Sequence, residues 1–223
     1  MSGRGGKLVK NTAILAVGNI GSRILKFFLL PIFAAFLSKE DVGLYDLIFT
    51  AILLIEPIVT LKIVDAVYRR LVSSEGQNNA LIWTGALFSL MCLSLVVILF
   101  LAFFPSNLFQ YKWEVLAFLA AKILFTYFSE VIRGYRQNTQ YAIGGVILTF
   151  ATLVLSVIAL YFAEDKLSSL ILVTAFAHFL VGLYFMWHCG LLASKPIFIV
   201  ASVMPLLVYS VPLIPSAISW WAM

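Results

Sequence analysis

Eight ionisable side chains lie within or at the ends of apolar stretches long enough to cross a lipid bilayer: Arg23, Lys26, Glu56, Lys62, Asp65, Lys122, Glu130 and Arg133. An Arg, Lys or Asp at the centre of a membrane helix costs roughly 2.5 to 3.5 kcal/mol on insertion scales. Such residues therefore face a protein interior or a water-filled cavity. The pattern predicts a polar pathway inside a membrane, in which fixed cations bind an anion such as a phosphate or a carboxylate.

The polar residues of two stretches recur at helical spacing, which places them on common helix faces. On the first stretch, five of them fall within one arc of roughly 120°: Asn11, Asn19, Ser22, Arg23 and Lys26. On the fourth stretch, a second face is formed by Lys122, Thr126, Ser129, Glu130 and Arg133. We expect both faces to line a cavity, because lipid-facing positions exclude charge.

Four of the charges have an oppositely charged neighbour three residues away in the chain. Lys62 precedes Asp65, and Glu130 precedes Arg133, so each couple is close enough to pair on one helix. Two interpretations stay open for these four residues. They are either neutral structural pairs or groups with a role in function, such as the binding of a coupling ion.

Three cations, Arg23, Lys26 and Lys122, have no acidic residue one turn away on their own stretch. We therefore expect them to be unpaired positive charges in a wet cavity, with an anionic ligand. Glu56 lies on a different face of the second stretch, immediately before Pro57. Because proline lacks a backbone donor, it should kink that helix near its middle, as happens where a helix bends around a cavity.

The composition excludes a soluble fold. The 223 residues are 63% hydrophobic and 11% charged, with a mean hydropathy of +1.06, whereas a soluble domain carries about 25% charged residues. The net charge of +5 is scattered among apolar segments, so we expect no nucleic-acid partner. No cofactor or metal site is expected either. Cys92 and Cys189 lack CxxC or Cys/His spacing, and His178 and His188 are expected to have packing or interfacial roles.

Hydropathy divides the chain into seven stretches, each reaching about the 20 residues that a membrane helix needs. They cover residues 12–37, 43–68, 80–104, 114–135, 141–163, 167–191 and 197–223. The stretches lack the alternation of a barrel strand, and a lipid-exposed backbone must satisfy its own hydrogen bonds. The predicted fold is all-α, a polytopic membrane helix bundle with short loops.

Positive charge is unequally distributed between alternate loops. One set of loops, which includes the N-terminus, holds Arg4, Lys7, Lys10, Arg69, Arg70, Arg133, Arg136 and Lys195. The other set holds Lys39, Lys112 and Lys166. By the positive-inside rule, this predicts a multi-pass protein of the cytoplasmic (inner) membrane with a cytoplasmic N-terminus. The last stretch ends without a polar tail, which suggests the N-terminal part of a longer transporter.

Three segments together resemble one known family. The run NTAILAVGNIGSRILK, continued by LLPIFAAFLSKEDVGLYDL and IVDAVYRRL, is similar to the start of the polysaccharide transporter family. These are the O-antigen and exopolysaccharide flippases of the multidrug/oligosaccharidyl-lipid/polysaccharide superfamily, which has a MATE-like fold. RGYRQNTQYAIGGVILTF resembles the family's junction of helices four and five, and PLIPSAISWWAM resembles the start of its helix seven.

The resemblance implies two lobes of six helices around a central cavity. Residues 1–195 would form the first lobe, and residues 196–223 would form helix seven, the start of the second lobe. Family members move undecaprenyl-pyrophosphate-linked oligosaccharide from the cytoplasmic to the outer leaflet for surface polysaccharide biosynthesis, with Na⁺ or H⁺ as a possible coupling ion. The matching lumen residues that would bind this substrate are Arg23, Lys26, Lys122 and Arg133, and no catalytic residue is implied.

Two other functions are weighed against the flippase. A MATE-type exporter of drugs or cations would share the fold, but its lumen would favour acidic residues, whereas in this chain cations without a local partner outnumber such acids. A membrane-embedded glycan polymerase or ligase would carry catalytic residues on a large extracytoplasmic loop. The predicted loops are too short for that, and the chain has no GxxxxGK[ST], GxSxG or HExxH motif.

Overall fold

The structure is a computed structural model that describes residues 27, 29, 31–73, 78–103 and 110–222. Arg23 and Lys26 lie outside these residues. The described part is mostly helical and contains no β-strand, so the predicted all-α bundle is confirmed. After a helical segment over residues 31–36, which we call α1, the helices are α2 (Lys39–Val59), α3 (Ile63–Ser73), α4 (Asn79–Phe103), α5 (Lys112–Gly134), α6 (Asn138–Phe162), α7 (Lys166–His188), α8 (Val200–Ser210) and α9 (Ile214–Ala222).

Six helical segments of the described residues are long and apolar enough to cross a membrane. They are α2, α4, α5, α6, α7 and the segment Val200–Ser219, which combines α8 with most of α9. These segments coincide with six of the seven predicted stretches, and most of the first stretch lies outside the described part. The outer faces of α4 and α6 expose large apolar side chains such as Ile98 and Phe150, as expected of surfaces that contact lipid.

Two predicted helices are each divided in the structure. The second stretch is not one helix kinked at Pro57: Pro57 lies inside α2, the helix ends at Val59, and α3 begins at Ile63. The seventh stretch is divided by a 3-10 turn, Val211–Leu213, which contains Pro212. The sequence pattern could not show these divisions, because the segments on both sides of each one are apolar at helical spacing.

The centre of the bundle is the pair α5 and α7, which make the most extensive contact between helices. Phe118 and Ile132 of α5 and Phe185 of α7 are fully buried. The two helices approach closely at Gly182 of α7. A Cβ atom there would lie 3.0 Å from the Leu124 side chain, so a larger residue would force Leu124 to shift.

The final helices pack against the first part of the chain. Leu206 of α8 is buried in the same apolar cluster as α3, and the guanidinium of Arg69 lies 4.5 Å from the ring centre of Tyr209. The backbone N–H of Ile199 donates to the Thr84 hydroxyl on α4 at 3.1 Å.

The division into residues 1–195 and 196–223 remains a prediction.

Candidate functional site

The joint between α2 and α3 has an unusual backbone. The N–H of Lys62 donates to the carbonyl of Pro57, and the N–H of Leu61 donates to the carbonyl of Ile58. This pattern closes the end of α2 as in a Schellman motif, where the residue after the helix adopts a left-handed conformation. Leu61 and Lys62 both do so, with φ angles of +49° and +52°. Because neither is glycine, each costs about 1 to 2 kcal/mol of strain.

Lys62 is one member of the first ion pair at this joint. Its Nζ lies 2.8 Å from Oδ2 of Asp65, and the two side chains are 26% and 29% exposed. The predicted i,i+3 pairing is therefore confirmed. Since both groups are more than two-thirds buried, the pair is screened less than a surface ion pair is.

The second predicted pair, Glu130 with Arg133 on α5, is also confirmed. One guanidinium nitrogen of Arg133, Nη1, donates to both carboxylate oxygens of Glu130, at 2.6 and 2.8 Å. The guanidinium carbon lies 5.5 Å from the ring centre of Tyr68 and 5.4 Å from that of Tyr141. Arg133 is thus held by a carboxylate on its own helix and by rings from α3 and α6. The sequence search for charges did not find these two tyrosines.

The third interaction connects two helices. Glu56 of α2 and Lys122 of α5 are both partly buried, and the Lys122 ammonium is near enough to the Glu56 carboxyl to act on it electrostatically. Lys62, Asp65 and Glu130 are also near this carboxyl. A carboxyl from another helix therefore lies near Lys122, and the anion-binding role expected of this lysine stays a prediction.

These residues form one group of charges at the interface of α2, α3 and α5, which we call the charge cluster: Glu56, Lys62, Asp65, Lys122, Glu130 and Arg133. It contains three carboxylates and three cations, so its formal charge is balanced. The positive surplus predicted for the cavity would have to come from Arg23 and Lys26, which lie outside the described residues.

His178 and Cys189 are buried among apolar and aromatic side chains. His178 is buried between Phe118 and Phe125, at ring-centre distances of 5.3 and 5.2 Å, and its Nδ1 hydrogen bonds to the carbonyl of Thr174 at 2.8 Å. This is the packing role expected from the sequence. Cys189, just after α7, is buried, which raises the pKa of its thiol to about 12. Within the described residues, no group of three potential ligands could hold a metal ion.

Comparison with protein families identifies the chain. The sequence model of a family described as polysaccharide biosynthesis protein matches residues 8–222. The chain belongs to this family. The resemblance to the polysaccharide transporters is thereby confirmed, and this polysaccharide biosynthesis protein is a multi-pass membrane protein. Comparisons with curated proteins and with solved structures give no match.

Proposed function

We propose that this polysaccharide biosynthesis protein is a flippase. It moves an oligosaccharide linked to undecaprenyl pyrophosphate from the cytoplasmic to the outer leaflet of the cytoplasmic membrane. The proposal rests on the presence of the charge cluster in a chain of this family. Part of the cluster lies on membrane-spanning helices, and the rest lies at and after the joint that follows one of them. Charges are expensive at this depth and are retained where they contact an ion or a charged substrate.

Charged side chains inside the bundle are needed for a lipid-linked pyrophosphate to cross the membrane. A pyrophosphate that enters the hydrocarbon loses its hydration, and nothing in lipid replaces it. Arg and Lys side chains inside the bundle replace water as hydrogen-bond donors, and Arg can contact two phosphate oxygens at once. In this proposal the pyrophosphate contacts Lys122 and Arg133, together with Arg23 and Lys26 of the first stretch.

Movement of helix groups relative to one another would expose the site alternately to the two sides of the membrane. Glu56, Asp65 and Glu130 are the carboxylates at which a coupling Na⁺ or H⁺ could act. No chemical bond is broken or formed in this process, so the protein would not be an enzyme. The N-terminus is on the cytoplasmic side in this proposal, as the loop charges indicate.

A second function is supported by one observation. The charge cluster holds as many carboxylates as cations, and carboxylates at membrane depth suit an exporter of organic cations. The two functions differ in what their loss would do. A flippase variant loses surface polysaccharide, whereas an exporter variant becomes sensitive to cationic drugs and keeps its polysaccharide.

The test is export in cells whose surface polysaccharide depends on this protein. Lys122→Ala should abolish export per molecule of protein in the membrane, because a contact to the pyrophosphate is lost. The matched control is Lys112→Ala. It removes the same charge from the first residue of the same helix, where the Lys112 ammonium lies 5.2 Å from the Trp113 ring centre. Normal export by Lys122→Ala, or equal loss in the control, would contradict the proposal.

A further inference from the structure

We propose that Tyr68 and Tyr141 are positioning residues for Arg133. Their rings hold the guanidinium so that its Nε–Nη2 edge receives two phosphoryl oxygens of the ligand. The inference rests on the proposed function, because it takes Arg133 as a contact of the pyrophosphate. It goes further by naming the edge of Arg133 that binds the anion and two uncharged residues that determine how tightly the anion binds.

The first argument is that Glu130 uses only one of the three guanidinium nitrogens of Arg133. Nη1 donates to both carboxylate oxygens, at 2.6 and 2.8 Å. Within the part of the chain that the structure describes, Nε and Nη2 donate no hydrogen bond. These two nitrogens present parallel N–H groups, the geometry with which arginine binds two oxygens of a phosphate. The side chain is 40% exposed, so the ion pair leaves part of it open to a ligand.

The second argument is that rings from two other helices lie beside the same guanidinium. Its carbon lies 5.5 Å from the ring centre of Tyr68 on α3 and 5.4 Å from that of Tyr141 on α6. Both distances are within the range of about 6 Å over which the face of an aromatic ring attracts a cation. A free arginine side chain has many rotamers, and fixing one of them before the ligand arrives removes that cost from binding.

The third argument is that packing fixes the two rings. A Cβ atom at Gly134, the residue after Arg133, would lie 3.0 Å from the Leu71 side chain and 3.6 Å from the Tyr68 ring, so α3 and α5 are close together here. The Tyr141 ring packs against the apolar cluster that contains the buried residues of α3. Residues that orient a binding group must themselves be held in place, and both tyrosines meet this requirement.

The position of the three residues in the bundle suits the entry of a ligand. Arg133 lies in the last turn of α5, and Tyr141 lies at the start of α6. In the proposed orientation, this end of the bundle is cytoplasmic. A lipid-linked pyrophosphate that arrives from the cytoplasmic leaflet would therefore meet Arg133 early on its path.

The experiment measures the binding of inorganic pyrophosphate to the full chain, purified in detergent, by calorimetry at constant ionic strength. Tyr68→Leu and Tyr141→Leu should each weaken binding about fivefold, because each removes one contact between a ring and the guanidinium. Tyr68→Phe and Tyr141→Phe keep the rings and should bind as wild type does. The matched control is Tyr161→Leu, which removes an exposed tyrosine from the other end of α6 and should leave binding unchanged.

Two further changes separate the charge of the ring face from its shape, and the charge of Arg133 from its geometry. Trifluorophenylalanine in place of Tyr68 or Tyr141 keeps the size of the ring but removes negative charge from its face, so binding should be weaker than in the phenylalanine variants. This comparison decides the question even if size-exclusion chromatography shows that the leucine variants do not fold. Arg133→Lys keeps the charge but lacks the parallel N–H groups, and should weaken binding about tenfold.

Several results would overturn the inference. Equal losses in the phenylalanine and leucine variants would show that the hydroxyl groups act instead of the rings. Wild-type affinity in the leucine variants or in Arg133→Lys, no effect of fluorination, an effect at only one of the two tyrosines, or undetectable binding by wild type would each refute it as well.

The flippase proposal is judged separately, by export from cells carrying Lys122→Ala. Normal export there, together with the expected effects of the two rings on pyrophosphate binding, would refute the flippase and leave the positioning of Arg133 standing. Loss of export there, with no effect of the rings on binding, would refute the positioning role alone.

Discussion

Removal of one member of the Lys62–Asp65 pair should destabilise the protein, and the two single variants should differ. Lys62→Met keeps the length of the side chain, and Asp65→Asn keeps its shape, so each change removes mainly charge. In Asp65→Asn the Lys62 ammonium is still near the Glu56 carboxyl, whose negative charge partly compensates the positive charge of Lys62. Lys62→Met leaves Asp65 near the same carboxyl, and two like charges remain together. We therefore expect the greater loss of stability in Lys62→Met.

The expected loss of stability follows from how deeply the two side chains are buried. An exposed ion pair contributes about 0 to 1 kcal/mol, whereas removing one partner of a fully buried pair costs roughly 3 to 5 kcal/mol. The side chains of Lys62 and Asp65 are 26% and 29% exposed, so the expected cost lies between those of an exposed and a fully buried pair. We expect a loss of about 2 kcal/mol for Lys62→Met and about 1 kcal/mol for Asp65→Asn. For a chain of this size, the larger loss lowers Tm by about 4 to 8 °C.

The assay is thermal unfolding in detergent, followed by the amount of monodisperse protein left after heating. The double variant Lys62→Met/Asp65→Asn removes both charges and should recover most of the lost stability, because no uncompensated charge remains. The strained backbone at Lys62 is unchanged by methionine, so it does not contribute to the difference. Equal Tm values for the two single variants, or a double variant less stable than both, would refute this reasoning.

Three further predictions concern packing, reactivity and orientation. Gly182→Val should sharply lower the yield of folded protein, because its side chain would collide with α5, whereas Gly43→Ala, with open space around it, should not. Cys189 should not react with N-ethylmaleimide at pH 7 to 8 until the protein is unfolded, since burial keeps its thiol protonated with a pKa of about 12. In a variant without native cysteines, a cysteine at Asp165 should be labelled from outside intact cells and one at Gln137 should not; the reverse pattern would contradict the proposed orientation.

Contacts between residues that are close together in the chain were predictable from the sequence. Lys62 with Asp65 and Glu130 with Arg133 were predicted to be close because a helix brings residues three positions apart together, whatever surrounds it. Their distances in the structure confirm this. The packing role of His178 followed from its apolar neighbours. None of these predictions required knowledge of how one helix lies against another.

The closeness of Glu56 to Lys122 could not be predicted in this way. Glu56 is more than sixty residues away in the chain, and its approach depends on the rotation of α2 and α5 about their own axes. The same holds for the rings of Tyr68 and Tyr141 beside Arg133. Helical spacing relates residues on one helix only, so it cannot indicate which charges of other helices lie near Lys122.

The sequence by itself determined that the chain is a bundle of membrane helices, because lipid requires each apolar segment to satisfy its own backbone hydrogen bonds. It also determined which charges lie within or beside the long apolar stretches. Only the tertiary structure decided where α2 ends and which charges meet between helices. The break at Leu61 and Lys62 depends on hydrogen bonds to Pro57 and Ile58 that no local preference favours, since both residues adopt a conformation suited to glycine. The approach of Glu56 to Lys122 depends on packing between helices, which the apolar pattern leaves open.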